Sequence, residues 1–293
     1  MTQGCTHDEC KFCSLYDAIN FKVSPIDEVI EDMQEMITWY PQAKRVFLVG
    51  ANPFVLNSNR LKGLANIAKT HFNKMESIGC FARISDISLK SDDELILLHK
   101  LGYDGITIGV ESGNDNALSF MNKGFLSNET ITQCKRLDKA GISYNFFYMT
   151  GLAGTGHVVK SGLETARMFN QLYPKTIEAG ALTIFENTEL YNEIQKGNFK
   201  IATEKEILIQ MKTFIDNCNI NCSFFANTIS NTVKLEGKLP KDSKKLSAIL
   251  GKSINNLMSW NYKNIGVVSI IYELWWFYII LLAVSAEEKQ KIG

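Results

Sequence analysis

The chain has 293 residues, and its 31 basic and 31 acidic side chains cancel at pH 7. That balance excludes a strong basic footprint for nucleic acid, though not a local patch. The length suits one large α/β domain with an appendage, and 45% hydrophobic content with 20 glycines is ordinary for a globular enzyme. Seven cysteines, an odd number, point to a reducing, cytoplasmic compartment. The sequence shows no internal repeat and no low-complexity segment.

In chain order the first feature is the run Gln3-Gly4-Cys5-Thr6-His7-Asp8-Glu9-Cys10-Lys11-Phe12-Cys13. Its three cysteines can aim their sulfurs at one centre, and thiolates suit zinc, copper(I) or iron–sulfur clusters. A disulfide would need an oxidising compartment, and no signal peptide precedes the cysteines. A closed zinc site would need His7 as fourth ligand, which its place inside the loop makes awkward. A plant-type 2Fe–2S centre has the same spacing but needs a distant fourth cysteine. A 4Fe–4S cluster on three cysteines would leave one iron open to a small molecule. Four residues precede Cys5, so either the coding sequence is truncated or the domain tolerates a shortened first strand.

Strand and helix then alternate. Ser24-Pro25 with Asp27 and Glu28 starts a helix, combining a cap, a first-turn proline and acids at the positive dipole end. Lys44–Val49 is a buried strand ending in the turn Gly50-Ala51-Asn52-Pro53, and Asn59–Phe72 is the next helix. Ile78–Ile84 is a strand, Ser91–Leu101 a helix with a capping box, and Gly105–Val110 a strand that delivers Glu111 and Ser112. A helix from Ser127 stops at Gly141, Ile142–Met149 is a strand, and the loop Gly151–Gly156 leads to a helix over Val159–Leu172. Thr176–Ile184 is a strand and Glu204–Asn217 a helix. Cys218 and Cys222 fall at helical i, i+4 spacing, too few ligands for a cluster of their own.

This alternation implies a parallel sheet with right-handed crossovers and a site at the carboxyl ends of its strands. The cysteine loop, Gly50–Asn52, Arg83, Glu111–Ser112 and the Gly151 loop all fall there. Residues Ile265–Ser285 are apolar apart from Glu273. That stretch reads as a membrane span, a helix packed on the barrel or an aberrant coding end.

Three stretches carry a resemblance. Gln3-Gly4-Cys5 with Cys10-Lys11-Phe12-Cys13 resembles the cluster loop of the radical S-adenosylmethionine (SAM) superfamily. Gly109-Val110-Glu111-Ser112-Gly113-Asn114-Asp115 with Met121-Asn122-Lys123-Gly124 resembles its fourth strand and the segment after that strand. Across residues 1 to about 250 the chain most resembles the branch of oxygen-independent coproporphyrinogen dehydrogenase and the Elongator-like subunits. Asn227, Asn231, Glu236–Pro240 and Asp242 resemble a C-terminal signature of that branch. One residue more separates Cys5 from Cys10 than in the commonest family spacing.

The resemblance implies a (β/α)6 partial TIM barrel over residues 1–200, with a shortened first strand. A helical extension follows over 201–250, then a hydrophobic tail over 251–293 that is a candidate for membrane association. It implies a radical SAM enzyme, cytoplasmic, in which Cys5, Cys10 and Cys13 ligate a 4Fe–4S cluster that reductively cleaves SAM. The resulting 5′-deoxyadenosyl radical would act on a small molecule or cofactor precursor, with flavodoxin or ferredoxin as reductant. Phe12 is expected beside the adenine, Gly50, Ala51 and Asn52 at the amino group, and Glu111 and Ser112 at the ribose. Arg136 or Arg83 is expected at the carboxylate, and Gly151 near the adenine. His157 is the one histidine at the rim. The competing readings are an iron–sulfur carrier without SAM chemistry, which needs no ribose site at Glu111, and a tRNA-modifying radical enzyme, which the neutral charge disfavours.

Overall fold

The computed structural model describes residues 1–17 and 19–258. The apolar stretch 265–285 lies outside them, and no helix among the described residues is long and apolar enough to cross a membrane.

The chain opens with a short antiparallel hairpin, β1 (Thr2–Gln3) and β2 (Lys22–Val23), with the cysteines in the loop between. Then come α1 (Ile26–Trp39), β3 (Arg45–Leu48), α2 (Ser58–His71), β4 (Ser77–Ala82), α3 (Ile84–Ser88), α4 (Asp92–Lys100) and β5 (Ile106–Glu111). Beyond these lie α5 (Asp115–Phe120), α6 (Ser127–Ala140), β6 (Tyr144–Thr150), α7 (Val158–Phe169), β7 (Thr176–Ala181) and α8 (Glu189–Gln195). The last elements are α9 (Glu204–Asn217), β8 (Cys222–Ala226), β9 (Leu235–Leu239) and α10 (Ser243–Met258). β3 to β8 pair in sequence order, all parallel, and β9 closes the sheet antiparallel to β8. The product is a partial α/β barrel of six parallel strands.

Local chemistry places these elements. Ser91 and Glu94 close a reciprocal cap on α4, with Glu94 N donating to Ser91 Oγ (3.2 Å) and Ser91 N to Glu94 Oε2 (2.8 Å). Gly141 ends α6 in the left-handed conformation, φ 83°. Along β6, Tyr144, Phe146 and Tyr148 are buried toward the helices, while Asn145, Phe147 and Met149 are half-buried on the concave face. The outer row joins Phe169 of α7, Phe214 of α9 and Phe224 of β8 with ring centroids 4.7 to 6.2 Å apart. Each such side chain contributes about 1.5–3 kcal/mol by leaving water, and Phe169→Ala would cost about 3–5 kcal/mol through the cavity it leaves.

Three expectations are corrected. The stub before Cys5 is not the first strand of the sheet, because it pairs antiparallel with Lys22–Val23; the sixth parallel strand is β8. Cys218 and Cys222 do not share a helix. Cys218 caps α9 in an extended conformation (φ −93°, ψ 112°) and Cys222 begins β8, whose burial alternates residue by residue. Residues 201–250 therefore hold two strands of the sheet as well as α9 and the first half of α10, rather than a helical extension. Spacing of four fits either a helix turn or a short loop, and no glycine or proline marks this break.

Candidate active site

The cysteine loop lies across the carboxyl ends of the strands, tethered nearly residue by residue. Asn52 Nδ2 donates to Thr6 Oγ1 (2.7 Å). His7 donates Nε2–H to the Asn122 carbonyl (2.6 Å). Lys11 N donates to the Met121 carbonyl (3.0 Å), and Leu190 N donates to the Lys11 carbonyl (2.7 Å). Phe12 packs with Met121, Leu152, Leu190 and Phe199. These bonds require the turn at residues 122–124 to show its carbonyls to the loop, which Asn122 (φ 52°) and Gly124 (φ 80°) achieve in left-handed conformations. A side chain at Gly124 would lie 2.8 Å from the His7 ring and 3.1 Å from Arg83 Nη2.

Cys5, Cys10 and Cys13 are half-buried free thiols. Burial pushes the Cys10 thiol up, but the hydrogen bond from His7 and the charges of Lys123 and Arg83 bring it below its ordinary value. Cys13 is pushed up to about 11, chiefly by burial and also by the charges of Cys10 and Cys5, against the opposing pull of the Leu15 backbone and Lys123. Arg83 Nη1 is 3.8 Å from Cys10 Sγ, and its Nη2 donates to the Lys123 carbonyl. Cations thus flank Cys10 and favour its thiolate, whereas burial opposes that of Cys13. Among the described residues no three His, Cys, Asp or Glu side chains converge closely enough for a single metal ion, and His7 is committed to Asn122 and Cys10. The donor set fits a multi-iron cluster on three thiolates better than a closed zinc site.

Beside the loop stands a buried ion pair. Lys123 Nζ donates to Glu111 Oε1 at 3.0 Å, with side chains only 8% and 10% exposed. The ammonium also lies 5.7 Å from the ring centres of both Phe12 and Phe125. Glu111 has φ 59°, rare for a residue with a side chain, and the β5–β6 register shifts between Gly109 and Glu111. The carboxylate folds back over Gly109, where a Cβ would stand 2.7 Å from Oε1.

Other expected residues are spoken for. The Asn52 side chain, fully buried, bonds Thr6 and both carboxylate oxygens of Asp86 (3.1 and 3.0 Å), so it is not free for an amino group. Gly50 (φ 135°) packs against Thr2, and Ala51 follows it half-buried. Ser112 is buried against Ser161, Thr165 and the Asn114 amide, fastening β5 to α7. The Gly151 amide donates to Gln210 Oε1 (2.8 Å). Arg136 is not at the rim: it pairs with Asp92 (2.6 Å) and donates to the Ile87 and Lys90 carbonyls, joining α6 to α3 and α4. Its face of α6 turns toward neighbouring helices, whereas Arg83, at the end of β4, reaches the loop. His157 is exposed at the start of α7. Sequence reasoning quoted Lys123 within the Met121–Gly124 segment without giving it a role, and it missed Asp86, whose only signal was a charge in a short helix.

Several known proteins are similar to this chain. The heme chaperone HemW of Buchnera aphidicola subsp. Schizaphis graminum is 21% identical over 280 residues, 87% of this chain and 73% of that protein. Elp3 of Methanocaldococcus infernus superposes with TM-score 0.54 at 15% identity, covering 80% of this chain and 62% of that one. Coproporphyrinogen III oxidase (HemN) of Escherichia coli gives TM-score 0.53 at 16% identity, over 72% of this chain and 49% of that one. The chain thus spans less than two thirds of either solved structure, and at these identities the likeness to them is one of fold. The Radical SAM superfamily model matches residues 1–157, more than half the chain and all of the cysteine loop, Glu111 and Lys123: the chain belongs to the radical SAM superfamily, whose enzymes work with a 4Fe–4S cluster and S-adenosylmethionine.

Proposed function

We propose that Cys5, Cys10 and Cys13 hold the 4Fe–4S cluster with one iron left open, and that SAM binds beside it against Glu111 and Lys123. Bound together, cluster and SAM supply reductive cleavage of SAM and the 5′-deoxyadenosyl radical. The protein's own residues bind, orient and exclude water. Lys123 supplies the cation for a carboxylate, and Glu111 accepts hydrogen bonds from ribose hydroxyls. Phe12, packed in its apolar cluster, shields the loop from solvent. Arg83 and His7 place positive charge against the Cys10 sulfur.

The observation that carries this reading is the buried Glu111–Lys123 pair at a strained strand end beside three free thiols. An iron–sulfur carrier has no use for it. The substrate is a small molecule or cofactor precursor reached along the concave face, where Phe81 and Phe147 stack at 6.1 Å, both half-buried. The setting is the cytoplasm, with flavodoxin or ferredoxin as electron donor. The test is anaerobic reconstitution, reduction with SAM present, and chromatography for 5′-deoxyadenosine and methionine. Iron uptake without either product would leave an electron carrier, and failure to take up iron would remove the cysteine assignment.

A further inference from the structure

The stretch between the first two cysteines includes Asp8 in a left-handed conformation (φ 48°). Thr6, directly after Cys5, is gripped twice by one side chain. Asn52 Nδ2 donates to Thr6 Oγ1 (2.7 Å), and the Thr6 amide donates to Asn52 Oδ1 (3.4 Å). Asn52 is itself oriented by Asp86. A carboxylate accepts only, so Nδ2 must face it, and the distances to its two oxygens are 3.1 and 3.0 Å. Asp86 is anchored in turn by the Arg83 amide (2.8 Å). Asn52 is 0% and Asp86 1% exposed. Lys90, equally buried, lies over the Phe54 ring at 4.5 Å and donates to the Phe54 and Asp86 carbonyls, placing a cation beside this acid. Burial raises the Asp86 pKa, and the Arg83 amide, Asn52, Arg83 and Lys90 oppose it.

A buried acid far along the chain is thus linked through one amide to the residue next to the first thiol. We propose that Asp86 is a positioning residue for the cluster: acting through Asn52 and Thr6, it fixes where Cys5 stands relative to Cys10 and Cys13. This rests on the assignment of those cysteines as cluster ligands. The link joins the cluster loop to the ends of β3 and β4, so it sets the loop's height on the barrel rim. In its absence the remaining tethers, at His7, Lys11 and Phe12, hold only the later part of the loop.

The test uses the full chain with Thr6→Val, which keeps shape and removes the hydroxyl; Thr6→Ser, which keeps the hydroxyl; and Asp86→Asn. In the metal-free protein, amide hydrogen exchange at residues 5–10 should quicken about tenfold in Thr6→Val and Asp86→Asn and return to the parent rate in Thr6→Ser, one hydrogen bond being the difference. The melting temperature of Thr6→Val should stay within about 3 °C of the parent, as expected for a change of about 1 kcal/mol. After anaerobic reconstitution, the reduced-cluster electron paramagnetic resonance spectrum should shift in Thr6→Val and revert in Thr6→Ser. Parent-like exchange and an unshifted spectrum in Thr6→Val would overturn the proposal, even if Asp86→Asn fails to fold. If the parent chain takes up no iron, the cysteine assignment fails, while the exchange measurement still decides whether Asp86 holds the loop.

Discussion

Removing one partner of the Glu111–Lys123 pair should separate its structural cost from its role in binding. The pair is 3.0 Å apart with both side chains about nine-tenths buried, and stripping one partner from such a pair costs about 3–5 kcal/mol, chiefly from the charge left behind. The two sides are unequal. Without Glu111, Lys123 keeps the faces of Phe12 and Phe125, each worth about 0.5–2 kcal/mol to a cation. Without Lys123, Glu111 keeps no ion partner among the described residues, in a backbone conformation that already costs about 1–3 kcal/mol. Lys123→Met should therefore fall at the upper end and Glu111→Gln at the lower. At roughly 2–4 °C per kcal/mol for a chain of this size, Lys123→Met should melt about 10–20 °C low and Glu111→Gln about 6–12 °C low. The double variant leaves no buried charge and should melt above Lys123→Met, with a coupling of up to about 3 kcal/mol. Its SAM affinity should nonetheless be the poorest of the three. The assays are thermal melts of the metal-free chain and calorimetric titration of the reconstituted one. A double variant that melts at the sum of the two losses would show that the charges do not meet, and one that binds SAM like the parent would remove the pair from the site.

Gly109→Ala puts a Cβ 2.7 Å from Glu111 Oε1; SAM affinity should fall about tenfold with the fold retained, and unchanged affinity would mean the carboxylate need not lie there. Cys10→Ala should lower iron uptake from about four atoms per chain to near none, as read by metal analysis; retained iron refutes its role as a ligand. Arg136→Met should lower stability by about 1–3 kcal/mol through the unpaired Ile87 and Lys90 carbonyls and leave SAM binding untouched; a binding defect with an intact melt would return Arg136 to the site. Glu206 is pushed up by burial, but the Gly156 and Thr203 amides and the Thr155 and Thr203 hydroxyls outweigh this and hold it at about 2, below its ordinary 4.5. A depressed folded-state value gives stability that is complete above 4.5 and fades as pH falls toward about 2. Denaturant midpoints across that window should therefore slope less in Glu206→Gln, and parallel curves would refute the contribution.

What the sequence shows plainly is whatever repeats or caps. Buried strands, helix faces and the Ser91–Glu94 cap depend on neighbours within a few residues, so the barrel and its strand-end rim are legible from pattern. The three thiols are legible because spacing alone carries their chemistry. Side-chain direction is not. Asn52 and Arg136 are polar groups at suitable positions in the chain, yet one is consumed by Asp86 and Thr6 and the other by helix-end carbonyls, contacts 34 to 49 residues away in sequence. Lys123 stands in a segment that resembles the family, but nothing local reveals that Phe12 and Phe125 cover it or that it pairs with Glu111. β8 was hidden because a five-residue strand with no glycine or proline before it leaves no break in the pattern.

The departures from regular backbone concentrate where the sequence was least readable. Of the three non-glycine residues with positive φ among the described residues, Asp8 lies within the cysteine loop, Asn122 turns its carbonyl to His7, and Glu111 carries the buried carboxylate. Such conformations persist only where surrounding structure over-determines them. Here it does: the Glu111 pair with Lys123, the register shift beside Gly109, and the Arg83 bond to the Lys123 carbonyl each fix a different part of the same stretch. Asn122 closes α5 as its left-handed terminal residue, with Lys123 N donating to the Leu118 carbonyl (3.0 Å), but Glu111 closes neither a helix nor a hairpin, and a fold needing only stability would relax it. Its strain is explained if the chain requires the loop's thiols, a cation and a carboxylate to meet at one place on the rim. It also orders the consequences of substitution: changes that relieve strain at Glu111, such as Glu111→Gly, should cost less stability than Glu111→Gln while losing as much SAM affinity, because glycine adopts φ 59° freely but offers no acceptor. Paired melting and titration curves for those two variants measure the difference, and a Glu111→Gly chain that melts below Glu111→Gln would show that the conformation is unstrained and the argument from it unfounded.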